Sequence, residues 1–200
     1  MEKSSMFVNG KFCKDPKNIT VDDFLFKGFN ESAKITNIQN AEAKLVDINM
    51  FPALNTLGVA IARVDFGPLG LNTPHWHQRG SEVFAVMKGQ LFAGFVTSDN
   101  KMFGKIINEG DIIVFPQALV HFQMNMKNTD AYAIAAFGSQ NPGRVDLPNS
   151  VFGTTPFVPN EILKKAFQVP NKEVEKFRSQ FDKSSFDAGK SLWELVAENS

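Results

Sequence analysis

Apolar residues in this chain recur at two different spacings, and the change from one to the other divides it. From Gly58 onward, short apolar runs alternate with clusters of turn-forming residues. Val59-Ala60-Ile61-Ala62-Arg63-Val64-Asp65-Phe66 reads as a strand that Gly67-Pro68-Leu69-Gly70 ends. Further strands are expected over Glu82 to Met87, Leu91 to Thr97, Lys105 to Ile107, Asp111 to Phe115, His121 to Met126 and Ala131 to Phe137. Turn signals stand between them at Lys88-Gly89, Ser98-Asp99-Asn100, Asn108-Glu109-Gly110 and Lys127-Asn128-Thr129-Asp130. Short strands at such close spacing predict a β-sandwich or barrel. Val83 to Met87 is apolar on both faces, which implies cover on the outer face as well, from a second sheet or another subunit.

The flanking regions follow other patterns. Residues 1–56 are mixed and rich in Asn, Asp and Lys, and read as an irregular N-terminal arm with a few short strands. After Pro142 the spacing turns helical, over Pro159 to Phe167 and again where Val174, Phe177 and Phe181 fall at i, i+3 and i+7. Lys190 to Ala197 reads as one further amphipathic turn or two. The expected division is therefore an arm over 1–56, an all-β core over 57–140 and a helical extension with a C-terminal tail over 141–200.

Composition narrows the function classes. Lys+Arg and Asp+Glu are equal at 21 each, so no electrostatic attraction to nucleic acid or to an anionic membrane is expected. No apolar run is long enough to predict a transmembrane helix. Met1-Glu2-Lys3-Ser4-Ser5 lacks the pattern of a signal peptide, which taken alone points to the cytosol. Cys13 is the single cysteine, so no intrachain disulfide is expected. The sequons Asn18-Ile19-Thr20 and Asn30-Glu31-Ser32 point weakly toward secretion. The 20 Phe residues exceed what one small core ordinarily needs and hint at subunit contacts or an apolar pocket.

Chemistry concentrates in two short segments. His75 and His77 stand two apart, which on an extended chain places both imidazoles on one face. Glu82 follows a turn at Gln78-Arg79-Gly80, and His121 opens a later strand. Inside a β-barrel these three imidazoles and one carboxylate can converge. Imidazole nitrogen with carboxylate oxygen suits a divalent transition metal and disfavours Ca or Mg. Four protein ligands in an octahedral shell leave two positions for water, dioxygen species or a chelating substrate. A single carboxylate leaves the site attractive to small anions.

Two stretches carry a resemblance. Gly70-Leu71-Asn72-Thr73-Pro74-His75-Trp76-His77-Gln78-Arg79-Gly80-Ser81-Glu82, followed by Met87-Lys88-Gly89, is similar to the first box of the germin-like proteins. Gly110 to Asn125, containing Phe115-Pro116 and His121, resembles the second, and Phe7 to Pro16 resembles the family's mature N-terminus. The likeness runs from about Phe7 to about Phe181. It implies a cupin (jelly-roll) β-barrel whose helical extensions join dimers into a hexamer. It also implies a manganese ion held by His75, His77, Glu82 and His121, and secretion to the plant cell wall as a glycoprotein. Oxalate oxidation and superoxide dismutation are the activities it implies.

The chain departs from the pattern in places. The resemblance implies a second cysteine paired with Cys13 and a signal peptide, and this sequence shows neither, as expected either of a chain trimmed at its front or of a divergent, intracellular member. Oxalate oxidases of the family carry two asparagines beside the metal. Asn72 matches one and is a candidate hydrogen-bond donor, while Ala62 occupies the place of the other. Losing one amide from a buried anion site costs on the order of 1–3 kcal/mol. Gln78 stands where a proline is frequent and Ala118 where a glycine is. Phe84, Val86, Phe115, Leu119, Val120 and Phe122 suggest an apolar surround. Three functions are compatible with this reading: a manganese redox enzyme of superoxide dismutase type, a protein of specialised metabolism that steers cyclisation of a hydrophobic small molecule, and a non-catalytic wall protein.

Overall fold

A computed structural model describes residues 6–181, which fall in two compact units, 6–144 and 145–181. Among the described residues no helix is long and apolar enough to cross a membrane. The first unit opens with a hairpin of β1 (Phe7–Val8) and β2 (Lys11–Phe12), turned by Asn9 and Gly10 at φ +48° and +78°. Short 3-10 turns follow at Pro16–Asn18, Val21–Phe24 and Pro52–Leu54.

Nine strands then build two sheets: β3 (Ala41–Val46), β4 (Ala60–Phe66), β5 (Leu71–Trp76), β6 (Glu82–Lys88), β7 (Gln90–Val96), β8 (Met102–Asn108), β9 (Ile112–Phe115), β10 (Val120–Asn125) and β11 (Ala131–Phe137). The first sheet runs β3-β4-β11-β6-β9 and the second β5-β10-β7-β8, with antiparallel pairing between neighbours. The expected strands from Val59 onward all form. Two more appear. β3 lies in the stretch read as an arm and joins the sheet by pairing with β4. β5, the strand that carries the His pair, has no apolar alternation and holds Pro74, so pattern alone shows only an extended segment.

Period-two alternation explains the core. Ala62, Val64 and Phe66 of β4, Phe84 and Val86 of β6, Leu91 and Ala93 of β7, Phe115 of β9 and Ala133 and Ala135 of β11 all point between the sheets and are buried. Together the two facing sheets form the jelly roll that the strand pattern and the resemblance led us to expect. On the outer face of β4, Arg63 and Asp65 pair at 2.7 Å and tie down the arm. Arg63 Nη1 donates to the Asn30 carbonyl, and Asp65 accepts from the Ala33 amide.

The second unit contains β12 (Val145–Asp146), α1 (Leu147–Phe152), α2 (Asn160–Phe167) and α3 (Asn171–Arg178). Pro159 and Pro170 precede the two longer helices, where a missing amide proton removes nothing from the helical ladder. Phe152 gathers Phe167, Phe177 and Phe181 at ring separations of 5.6, 5.1 and 6.3 Å. Lys190 to Ala197 lies outside the described residues.

Phe84 is fully buried and its ring meets Phe115 at 6.0 Å. Phe84→Ala is expected to lower unfolding stability by about 3–5 kcal/mol, read from urea denaturation midpoints at unchanged slope.

Candidate metal centre

The backbone of β5 sets the site. In the ladder with β10, His75 lies opposite His121 and Asn72 opposite Gln123. Three steps on one strand therefore match two on the other, which is a β-bulge at Thr73 and Pro74. In a regular strand, residues three apart face opposite sides. The bulge turns both Asn72 and His75 inward, at 9% and 1% exposure. His77, just past the strand end, returns to that side, and Glu82 opens β6 in the facing sheet, opposite Phe115 and Phe137.

The four side chains meet between the sheets. Glu82 Oε2 lies 3.0 Å from His77 Nε2 and 3.1 Å from His121 Nε2. His75 and His121 stand 4.2 Å apart between ring centroids, and one ligand atom from each of the four residues falls within 4.8 Å of the others. Two donors bound side by side to one transition-metal ion are about 3 Å apart, so this spacing fits a divalent ion.

The opposite edge of each ring is fixed. Nδ1 of His75 donates to the Thr73 carbonyl at 2.7 Å, Nδ1 of His121 to that of Leu119 at 2.8 Å, and Nδ1 of His77 to that of Gly143. A ring whose proton sits on Nδ1 presents its Nε2 lone pair as a metal ligand. Burial, with the positive charge of Arg144 beside it, pushes the pKa of His75 down to about 2. Burial alone would raise that of Glu82, but hydrogen bonds with His121 and His77 outweigh it and hold it at about 2. A neutral imidazole and an ionised carboxylate are the forms that bind a metal.

The walls are apolar. Phe115 stacks on His121 at 4.5 Å and 12°, and Phe137 meets His77 edge-on at 4.7 Å. Phe122 does not belong to this surround: it neighbours His121 on β10, so it faces the other side of the sheet and packs against Phe92. Trp76 is half-buried and alternates away from the ligands. Ala62, 2% exposed, contributes only a methyl group to the core.

The cupin family pattern matches residues 27–175. Germin-like protein subfamily 1 member 6 of Arabidopsis thaliana is 49% identical over 176 residues, which are 86% of this chain and 78% of that one. The chain belongs to the germin-like proteins of the cupin family. Among solved structures, a recombinant oxalate oxidase in complex with glycolate superposes with a TM-score of 0.85 at 35% identity, over 90% of this chain and 92% of that one. Peruvianin-I, a cysteine peptidase from Thevetia peruviana latex, superposes with a TM-score of 0.67 at 32% identity, over 72% of this chain and 90% of that one.

Two groups around the centre of this germin-like protein escape sequence reasoning. The first is Gln123, fully buried on the inward side of β10 two residues beyond His121. Its Oε1 accepts from Asn72 Nδ2 at 2.7 Å, while its Nε2 has no partner among the described residues. Its place two residues from a ligand on a strand was the available signal. The second is a clamp behind His77. Arg79 donates through Nε to the Asn141 carbonyl at 2.6 Å and through Nη2 to Asn141 Oδ1 at 2.8 Å. That brings Gly143, at φ +68°, against the ring of His77. The positive φ of Gly143 favours glycine there, and a Cβ would also displace the ends of the Gln78 and Arg79 side chains, 2.5 and 2.6 Å away. On the other side the Ala118 amide donates to the His77 carbonyl at 3.0 Å. Ala118 takes φ +62°, which explains why glycine is frequent at its place.

Arg79→Ala frees this loop without touching a ligand. Affinity for divalent manganese is expected to fall about 10- to 100-fold in chelator competition. The melting temperature of the metal-free protein should change little, because Arg79 itself is exposed.

Proposed function

We propose that this germin-like protein is a manganese-dependent oxidoreductase of superoxide dismutase type. The observation that carries the reading is the donor set, three Nε2 lone pairs and one carboxylate oxygen converging inside an apolar sandwich, with Gln123 beside them. Manganese held by His75, His77, Glu82 and His121 would supply one-electron redox cycling, and two superoxide ions with two protons would yield dioxygen and hydrogen peroxide. The chain's own part is positioning and charge. One carboxylate against a divalent ion leaves net positive charge that draws a small anion inward. The bond to Asn72 holds the Gln123 carboxamide with its N–H groups free to donate to an anionic oxygen.

Two other activities fit less well. Oxalate oxidation, the activity named for a solved relative, would need a second amide where Ala62 offers only a methyl group. A cysteine peptidase needs a Cys–His contact. Cys13 is exposed, and all three histidines of the chain are buried at the metal centre.

The reading is tested on fully manganese-loaded protein. Superoxide should disappear faster than with an equal concentration of free manganese, and Gln123→Leu should slow it roughly 10²-fold. A loaded wild-type protein no faster than the free ion removes the reading.

We further propose that copies of the chain associate through the outer face of the first sheet, as the hexamer implied by the resemblance requires. Ile61, Ala136, Val83 and Val114 form a row across β4, β11, β6 and β9. Val83 and Val114 are 44% and 54% exposed, and the neighbouring Ile112 is 65% exposed. A contiguous apolar stripe of this kind is a common mark of an interface. Joint replacement, Val83→Lys with Val114→Lys, should shift sedimentation to a smaller species, and an unchanged mass would count against this face.

A further inference from the structure

The open edge between the two sheets lies at the same level as the metal centre. β8 ends the second sheet and β9 ends the first. Between them is a cavity of about 370 Å³ lined by Phe95, Met102, Phe103, Gly104, Lys105 and Ile113. Strand register fixes its height: Phe95 lies opposite His121 on β10 and Phe103 opposite Phe95 on β8. On the facing sheet Ile113 lies opposite Phe84, whose ring meets Phe115, the residue stacked on His121. The cavity is thus separated from a metal ligand by the single width of Phe95.

Its chemistry is specific. Phe95 and Phe103 stack on each other at 5.4 Å and 18° and together give the cavity a wall of two parallel aromatic rings. Met102 and Ile113 add apolar wall. Lys105 shares the inward side of β8 with Phe103 and the buried Ile107, and among the described residues it is the single charged one in the lining. No acidic residue lines the cavity among the described residues. Lys101 holds its ammonium 4.9 Å from the centre of the Phe103 ring, adding positive charge at the rim.

We propose that this cavity is a binding subsite for a planar aromatic carboxylate of one or two rings. The rings lie against Phe95 and Phe103, and the carboxylate meets Lys105. The volume falls at the small end of ligand pockets, which run from about 300 to 1,000 Å³. An aliphatic chain would fill the walls without matching the stacked faces, and a neutral ring would leave the lysine without an opposite charge. That the occupant is also the substrate of the metal centre rests on the function proposed above. That the cavity binds it does not.

The test uses 2-naphthoate, titrated into the metal-loaded protein and followed by calorimetry and by the probe's fluorescence. Saturable one-to-one binding is expected. Lys105→Gln and Phe103→Ala should each weaken it about tenfold, and 2-naphthylmethanol should bind correspondingly worse than the acid. Both variants alter exposed side chains, and circular dichroism checks that they fold. Metal-loaded and metal-free wild-type protein, both checked for fold by circular dichroism, should bind the probe equally. Absence of saturable binding, or binding that neither variant weakens, overturns the proposal and leaves Lys105 as a charge guarding an edge strand. Loss of binding on metal removal with the fold retained also overturns it, since the probe would then be a metal ligand. Naphthoate binding in a protein inactive toward superoxide would uphold the subsite while removing the redox reading.

Discussion

Glu82 is an ionised carboxylate buried between two sheets whose other inward side chains are mostly apolar, and the rest of the structure answers to that fact. In a medium of low polarity an anion is stable only if its lone pairs are met. Here they are met by His77 and His121, whose rings are held by backbone carbonyls on their far edges. Those carbonyls orient the rings so that Nε2 of His77 and His121 faces the carboxylate. A divalent cation bound among the four side chains would take over the stabilisation of that carboxylate. Metal affinity and the fold's internal electrostatics are therefore one property.

Bringing these groups together imposes exact requirements on the backbone. Sheets that pack face to face stand about 10 Å apart, so ligands from both can share one ion only if each points inward at the same height. β10 satisfies this by plain alternation, His121 and Gln123 on one face. β5 cannot, because Asn72 and His75 are an odd number of residues apart, and the bulge at Thr73 and Pro74 corrects the parity. Pro74 is well placed there, since a bulged residue has no ladder partner for an amide to serve.

How much of this was legible in the sequence follows from which interactions are local. Strands with apolar alternation, the four ligands and the helical end can be read directly, because each depends on residues a few positions apart. β3 was hidden because Glu42, Lys44 and their neighbours carry no clear apolar pattern, and its existence depends on pairing with β4. Phe122 neighbours His121 along the chain but not in space, since alternation on β10 turns it to the opposite face against Phe92. Gln123 and the Arg79–Asn141 pair were missed for a related reason: one partner in each contact comes from a distant segment, 51 and 62 positions away.

That contrast extends to how the centre is assembled. His75 and His121 are braced by carbonyls two positions earlier in the chain, so each carries its own support wherever its segment goes. His77 is braced by Gly143, 66 residues later. A chain leaving the ribosome has its first two histidines and Glu82 long before that support exists. The centre is therefore not complete with the strands that carry its ligands: it also needs the segment that follows β11, and a break there would loosen one histidine while leaving the other two braced.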